Sequence, residues 1–337
     1  MAELLPSLQV GAREDLADLI AIADQKATPL VSAARKSTAA TNPLFSWLVD
    51  GYAAVDRSGV LSNEDATTFS NPAAQRARLY GRIQKLWRKP KVSDIAENVS
   101  DVAGIGIKRE MAVAIKRALQ ELARDLEATF CSDQDSQEES GANPYKTRGL
   151  GSWISSSAQS DAGTAVPAAY RTPSTSIRTE TTANTTETVI QALLQSVYEQ
   201  TGKSKTFSLL CGPTLKRRFS EMTQVQFGSA NTAAVVRTFN ADLSDNKLEF
   251  KVDVFSGDFG EIMLVPSLYI RTDVSTEASL RSGFLLDMDG VHIRYNRRPR
   301  YTPLPDLGGG PRGIIDTIAA LQVDNPLTHG KISNASA

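Results

Sequence analysis

The stretch from Ile107 to Phe130, IKREMAVAIKRALQELARDLEATF, constrains the fold more than any other. It contains no Pro or Gly and is built almost wholly from good helix formers. Ile107, Met111, Ile115, Ala118, Leu119, Leu122, Leu126 and Phe130 recur at steps of three and four, so they share one helical face. Lys108, Lys116, Arg117, Glu121, Arg124, Asp125 and Glu127 fill the remainder, and Arg117 and Glu121 have the spacing of a helical ion pair. At about 1.5 Å per residue the rod is roughly 36 Å long, the span of a small domain. The pattern predicts an amphipathic core helix.

The chain has 337 residues, enough to bury a large core and to divide into two or more compact parts. A net charge of −1 excludes the global basic bias of a dedicated DNA binder. Cys131 and Cys211 are the only cysteines, which argues against a disulfide framework and for a reducing compartment. His292 and His329 stand far apart without partnering cysteines, so no His/Cys zinc site is expected. No apolar run has the length of a membrane span, and MAELLPSLQVGARED lacks the layout of a signal peptide. The expectation is a soluble protein made in a cytoplasm.

Residues 1–50 read as an arm. Leu16, Leu19, Ile20 and Ala23 predict at most a short helix over Asp15 to Lys26. Pro29 and Pro43 then break a segment carrying Arg35, Lys36, Phe45 and Trp47, with Tyr52 beyond it. Phe45 and Trp47 fit either a small apolar cluster under a loop or an arm docked on a neighbouring subunit. From Ala66 to Ser93, Arg76, Arg78, Arg82, Lys85, Arg88, Lys89 and Lys91 occur with no acidic residue between Asp65 and Asp94. Leu79, Ile83, Leu86, Trp87 and Val92 are interleaved, and Gly81 and Pro90 argue against a helix. An extended basic hairpin is predicted. Such a hairpin can meet nucleic acid, or it can face water or acidic protein partners.

After the long helix, Asp133, Asp135, Glu138 and Glu139 predict a solvated acidic turn, because the spacing lacks the Gly and closing Glu of a calcium loop. YKTRGLGSWISS follows, then a Ser/Thr-rich stretch to about Thr186 that reads as a long exposed connection. A compact α/β unit comes next. Thr185 or Thr186 caps a helix with Val189, Ile190, Leu193, Leu194, Val197 and Tyr198 on its face, and Gly202 ends it. Phe207 to Leu210 predicts a buried strand, and Pro213 opens a second helix. LEFKVDVF turns at SGDFG into Glu261 to Val265, and GFLLDMDGVHIRYNRR predicts a hairpin at Asp289-Gly290. The run GGGPRG from Gly308 to Gly313 lacks the Lys-Ser/Thr of a nucleotide loop. The closing IIDTIAALQVDNPLTHGKI reads as a strand returning to the core.

Four stretches, TPLVSAARKSTAATNPLFSWLVD, ALQELARDLE, TRGLGSWI and DNPLTHGKI, resemble the major capsid proteins of tailed bacteriophages with the Hong Kong 97-type fold. The order of parts along the chain is similar too. The resemblance implies an α+β fold with an N-terminal arm (1–50) and an extended loop formed by the basic β-hairpin (51–105). A peripheral domain (106–185 and 286–337) would hold the spine helix 107–130, and 186–285 would form the axial domain. It implies copies of the chain in hexamers and pentamers, portal and scaffold or decoration proteins as further partners, and double-stranded DNA enclosed without sequence-specific binding. The virion capsid would be its location and the bacterial host cytoplasm its place of synthesis. Inter-subunit contacts would come from Arg35, Lys36, Trp47, Arg76, Arg78, Arg82, Lys85, Arg88, Lys89 and Lys91. Ile107, Met111, Ile115, Leu119, Leu122, Leu126 and Phe130 would form the core face of the spine.

Two other classes compete. One is a nucleic-acid-binding module using Arg76 to Lys91. The other is a hydrolase, which the residues disfavour because no triad, metal cluster or nucleotide loop stands out. No catalytic residue, cofactor or metal is expected.

Overall fold

The computed structural model describes residues 28–37, 39–62, 65, 67, 69, 71, 73–99, 110–157, 165–180, 185–222, 225–227, 234–236, 252–270 and 282–333. Ile107 and the short helix expected over Asp15 to Lys26 lie outside them. The described residues form two compact units. One comprises those within Trp87–Leu122 and Arg300–Ile315, and the other those within Ala27–Leu86, Ala123–Pro299 and Asp316–Ala337.

The elements run in the order α1 (Pro29–Ala33), β1 (Arg35–Lys36), β2 (Leu44–Val49), β3 (Ala77–Arg82), β4 (Gln84–Arg88), α2 (Asp94–Val99), α3 (Glu110–Phe130) and α4 (Leu150–Trp153). Then come β5 (Ile177–Thr179), α5 (Glu187–Thr201), β6 (Lys205–Cys211), α6 (Pro213–Met222), β7 (Val225–Phe227), β8 (Ala234–Val236), β9 (Val254–Gly257), β10 (Gly260–Pro266), β11 (Gly283–Leu286), β12 (Val291–Leu304), β13 (Arg312–Val323) and β14 (Gly330–Ser333). The fold is α+β. A six-stranded mixed sheet has the order β5-β14-β11-β6-β10-β9, and a four-stranded sheet the order β1-β12-β13-β4. β2 pairs with β3, and β7 with β8, as two-stranded ribbons.

The larger unit has two main cores. In one, Ile190, Leu193, Leu194 and Val197 of α5 and Leu215 and Phe219 of α6 pack on Phe207, Leu209, Ile262, Leu264 and Leu285 of the six-stranded sheet. In the other, Leu126 and Phe130 of α3 join Leu30, Trp153, Phe284, Val291, Ile293 and Leu321. Gly202, with φ 63°, closes α5 in the left-handed conformation expected of it. Thr186 stands at the N-cap of α5 but its side chain makes no cap bond, contrary to the expectation.

The long helix is present, with two corrections to its faces. Met111, Ala118, Leu122, Leu126 and Phe130 are buried and Ile115 is half-buried. Leu119 is 39% exposed, because it stands 100° round the helix from Ala118 and falls on the flank of the stripe. Glu127, expected on the polar face, is fully buried.

Two predicted hairpins dissolve into separate sheets. β3 takes β2 as its partner and β4 takes β13, with Ile83 between them, so the basic stretch is not a hairpin. Likewise β11 lies between β14 and β6, while β12 enters the four-stranded sheet. In both cases local alternation specified strands but not their partners, which come from distant sequence. The closing segment is two strands, β13 and β14, in different sheets. The Ser/Thr-rich connection is not uniformly exposed either. Tyr170, Thr172, Ser176 and Thr185 are buried, with Thr172 Oγ1 donating to the Pro326 carbonyl and Ser176 bonded to Ser196.

Candidate assembly surface

The ribbon of β2 and β3 has two faces of different character. Directly opposed residues share a face. Phe45 opposite Gly81, Trp47 opposite Leu79 and Val49 opposite Ala77 point inward. Leu48 opposite Arg78, and Leu44 at the far end, point outward and are exposed. Gly81 is needed here, since a Cβ would lie 2.5 Å from a ring carbon of Phe45. Phe45 in turn stacks on Trp47 at 5.8 Å between centroids, and Trp47 meets Trp153 at 5.5 Å.

From this ribbon the described residues between Gly51 and Gln75 form an exposed strap. Its base is closed by Arg76 Nε on Asp50 Oδ2 at 2.9 Å and by Tyr170, whose hydroxyl donates to the Gln75 carbonyl. Residues 51–61 have no regular structure, and every described residue from 51 to 76 is exposed. Tyr52 at 103%, Val60 at 86% and Phe69 at 84% are as exposed as in an unfolded chain, and Val55 and Leu61 are little less so. Within the strap a turn is set by Asp56, whose Oδ1 accepts from the Ser58 amide at 2.8 Å and hydroxyl at 2.6 Å, and by Gly59 at φ 65°. These Ser58 bonds hold the Asp56 carboxyl below its usual range. A run of exposed apolar side chains of this extent is the mark of a surface that another molecule covers.

The basic candidates are distributed differently. Arg76 pairs with Asp50, Arg82 with Glu138 at 3.1 Å, Lys85 with Asp316 at 3.9 Å, and Arg88 with Glu121 at 3.9 Å. Arg82 is buried, and Arg35 meets Asp289 at 2.5 Å. Lys36 Nζ donates to the carbonyls of Val31 and Ala34 at 2.8 and 3.0 Å. The Trp47 indole N–H donates to the Asp324 carbonyl at 3.1 Å, which joins it to the core of its own chain. Arg78, Lys89 and Lys91 are exposed, with Lys89 Nζ 3.9 Å from the Trp87 ring centroid. Residue type alone does not show which cations are already satisfied within the chain.

The acidic turn after α3 is exposed at Asp133, Glu138 and Glu139, as expected, and it also serves as a clasp. Asp133 pairs with Lys331 at 2.8 Å, Asp135 with the fully buried Arg148 at 2.7 Å, and Glu138 with Arg82. Bridges Gln137 to Lys146 and Ser140 to Asn143 shape a short hairpin between these carboxylates. TRGLGSWI forms the other side of the clasp, with Arg148 4.8 Å from the Trp153 ring centroid and Ser152 donating to Asp135 at 3.0 Å. At the Gly308–Gly313 loop, the Asp306 carboxylate accepts from the Gly308 and Gly309 amides at 2.9 and 3.2 Å. The chain's own anion thus occupies the donors that a phosphate would need.

Glu127 was missed by the sequence reading. Its two carboxylate oxygens accept from the amides of Leu30 at 2.8 Å and Val31 at 2.7 Å, the first turn of α1, where Thr28 supplies no side-chain cap. Burial pushes its pKa up, against the pull of those two amides. Cys131, beside it at 3.9 Å, is pushed well above the usual thiol range by burial and by the neighbouring carboxylate. Burial likewise pushes Cys211 to about 12, slightly offset by Lys216. Native protein at mildly alkaline pH is therefore expected to show no fast thiol alkylation, with both cysteines reacting on denaturation. Rapid native labelling of either would place it at an accessible surface.

The SU10 major capsid protein model matches residues 6–336. The chain belongs to that family. No curated protein sequence matches it. The fold is that of solved capsid structures. Mycobacterium phage Bobi gives a TM-score of 0.60 at 11% identity, over 100% of each chain. The capsid of a native GTA particle gives 0.59 at 12%, over 98% of each. The capsid of cyanophage P-SCSP1u gives 0.56 at 13%, over 96% of this chain and 93% of that one. The resemblance read in the four sequence stretches is borne out. In this member of the SU10 capsid family, TRGLGSWI and DNPLTHGKI are buried packing segments: Leu150, Trp153, Ile154, Pro326, His329 and Ile332 are all inside. Among the described residues no three His, Cys, Asp or Glu side chains group as a metal site. No described helix is long and apolar enough to cross a membrane.

Proposed function

We propose that copies of this chain assemble into hexamers and pentamers that close an icosahedral shell around the double-stranded DNA of a tailed bacteriophage. The observation that carries this reading is the strap, whose apolar residues Tyr52, Val55, Val60 and Phe69 are all highly exposed. Its cover is a neighbouring copy. The contact is chiefly apolar, and the exposed Arg78, Lys89 and Lys91 are further inter-subunit contact residues. Residues 186–285 supply the axial domain, 106–185 with 286–337 the peripheral domain, and 1–50 the arm. Portal and scaffold or decoration proteins dock on the shell, and DNA is held without sequence-specific contacts. The chain is made in the bacterial host cytoplasm and has no catalytic role. Internal pairing of Arg76, Arg82, Lys85 and Arg88 leaves fewer cations for phosphate, which disfavours the nucleic-acid module.

The test replaces Tyr52, Val60, Leu61 and Phe69 with Ser. None is buried, so thermal stability is expected to stay within about 0.5 kcal/mol of the parent. Closed particles in electron micrographs are expected to disappear. Normal particles from the quadruple variant would remove the strap from the lattice contacts.

A further inference from the structure

The two histidines, distant in sequence, meet at one turn. A short 3-10 turn, Met288–Gly290, follows Asp287 and joins β11 to β12. His329 is fully buried beneath it, and its Nδ1 accepts the Asp287 backbone N–H at 3.1 Å. The neutral ring therefore carries its proton on Nε2, which lies 3.8 Å from where a Cβ on Gly290 would stand. His292, on β12, pairs with Asp324 at 2.9 Å. The surrounding charges come from several elements. From β6, Lys205 meets Asp287 Oδ2 at 2.5 Å, and the Asp287 Oδ1 accepts from the Asp289 amide at 3.2 Å. Asp289 in turn holds Arg35 of β1, whose residues Arg35 and Lys36 pair in parallel with His292 and Ile293 of β12. Lys331 of β14 is engaged with Asp133, and the buried face of α5 is uncharged.

We propose that His329 is an acid-sensitive latch: protonating Nδ1 turns an acceptor into a donor facing the Asp287 N–H, which opens the 287–290 turn and loosens the β1 segment fastened to it. The resulting cation would also face Lys205. Burial, followed by Lys205, opposes protonation, whereas Asp287 favours it, and the balance lowers the His329 pKa from 6.5 to about 4. A depressed folded-state value means that this group's stabilising effect is complete above pH 6.5 and is lost as pH falls through about 4. The switch thus acts in the acid range and is closed at neutrality.

Amide hydrogen exchange read by mass spectrometry on the intact protein, near neutrality and at about pH 4, tests this once rates are corrected for intrinsic pH dependence. Exchange over 287–292 and 28–37 is expected to rise about tenfold or more in acid, with α5 unchanged. His329→Gln, whose amide oxygen can accept the same N–H but does not titrate in this range, is expected to abolish the rise. No change in the wild type, or equal opening in the variant, overturns the latch. Should the variant fail to fold, exchange at each imidazole C2 in the wild type reads the two histidines separately. Titration of His329 at the ordinary histidine value would equally sink the proposal.

Discussion

Glu127→Ala should destabilise the fold by about 2–4 kcal/mol, although a helical wheel puts the residue on a solvent face. Its carboxylate accepts two amides at the start of α1, and Leu30, which donates one of them, is itself buried. Removing the acceptor strands the buried Leu30 N–H, at about 1–3 kcal/mol, and leaves the part-buried Val31 N–H without its partner at a smaller cost, offset by relief of the buried charge. Glu127→Gln separates the capping role from simple volume. The amide supplies one accepting oxygen, but its NH2 confronts the second N–H, so this variant should lose most of what the Ala variant loses. Chemical denaturation of the three proteins decides the matter, and a Gln variant as stable as the parent would mean that one amide does not need the carboxylate. The pH dependence follows the raised pKa. This group's contribution is fullest below its ordinary value of 4.5 and declines as pH rises through its folded value, opposite in sign to that of His329.

Gly149→Ala should cost a similar amount, about 2–4 kcal/mol, through overlap alone. Gly149 sits at φ −83°, so its backbone is open to any residue. A Cβ there would overlap the Ser132 carbonyl oxygen, and that carbonyl is held by the Gly151 amide at 3.1 Å. The Gly149 amide is itself tied to the Gln134 carbonyl at 2.8 Å, so neither side can step back. Gly151→Ala makes the instructive comparison. Its main obstacle is the Asp133 carboxylate, which can rotate away by giving up a partly exposed pair with Lys331. Denaturation midpoints should therefore rank Gly149→Ala below Gly151→Ala. The reverse order would show that the carboxylate is the more rigid wall.

What could be read from the sequence was local. The period of α3, the Gly202 terminus of α5 and the helix opening at Pro213 depend on neighbours a few residues away and formed as expected. The β9–β10 hairpin formed too, but with its first strand at Val254–Gly257, Leu248 to Lys251 lying outside the described residues. Pairings set by distant sequence were not legible. The alternation in 77–88 specifies strands, yet nothing in it says that β3 will seek β2 and β4 will seek β13. The Glu127 error has that cause, since the residue is inside to cap α1, about a hundred residues earlier, whereas Leu119 is a matter of its angle on the helix. The basic stretch drew attention to charge, whereas its cations are largely paired within the chain and the uncovered surface is the apolar strap before it. A signal for the strap was present, since Tyr52, Val55, Val60, Leu61 and Phe69 follow no helical or strand period.

The position of β14 has a consequence for how the chain is made. This late strand is inserted between β5 and β11, and a Cβ on its Gly330 would sit 2.9 Å from Leu193 of α5. β5 is therefore without its sheet neighbour, and that part of α5 without its cover, until roughly 150 further residues have left the ribosome. At about 5–20 residues per second the wait is on the order of 8–30 s. Once β11 has been made and until β14 follows it, the sheet has an open seam rather than merely open edges. Subunits would become competent to join a lattice only after that seam closes, so a growing shell would be spared half-made copies by the order of synthesis.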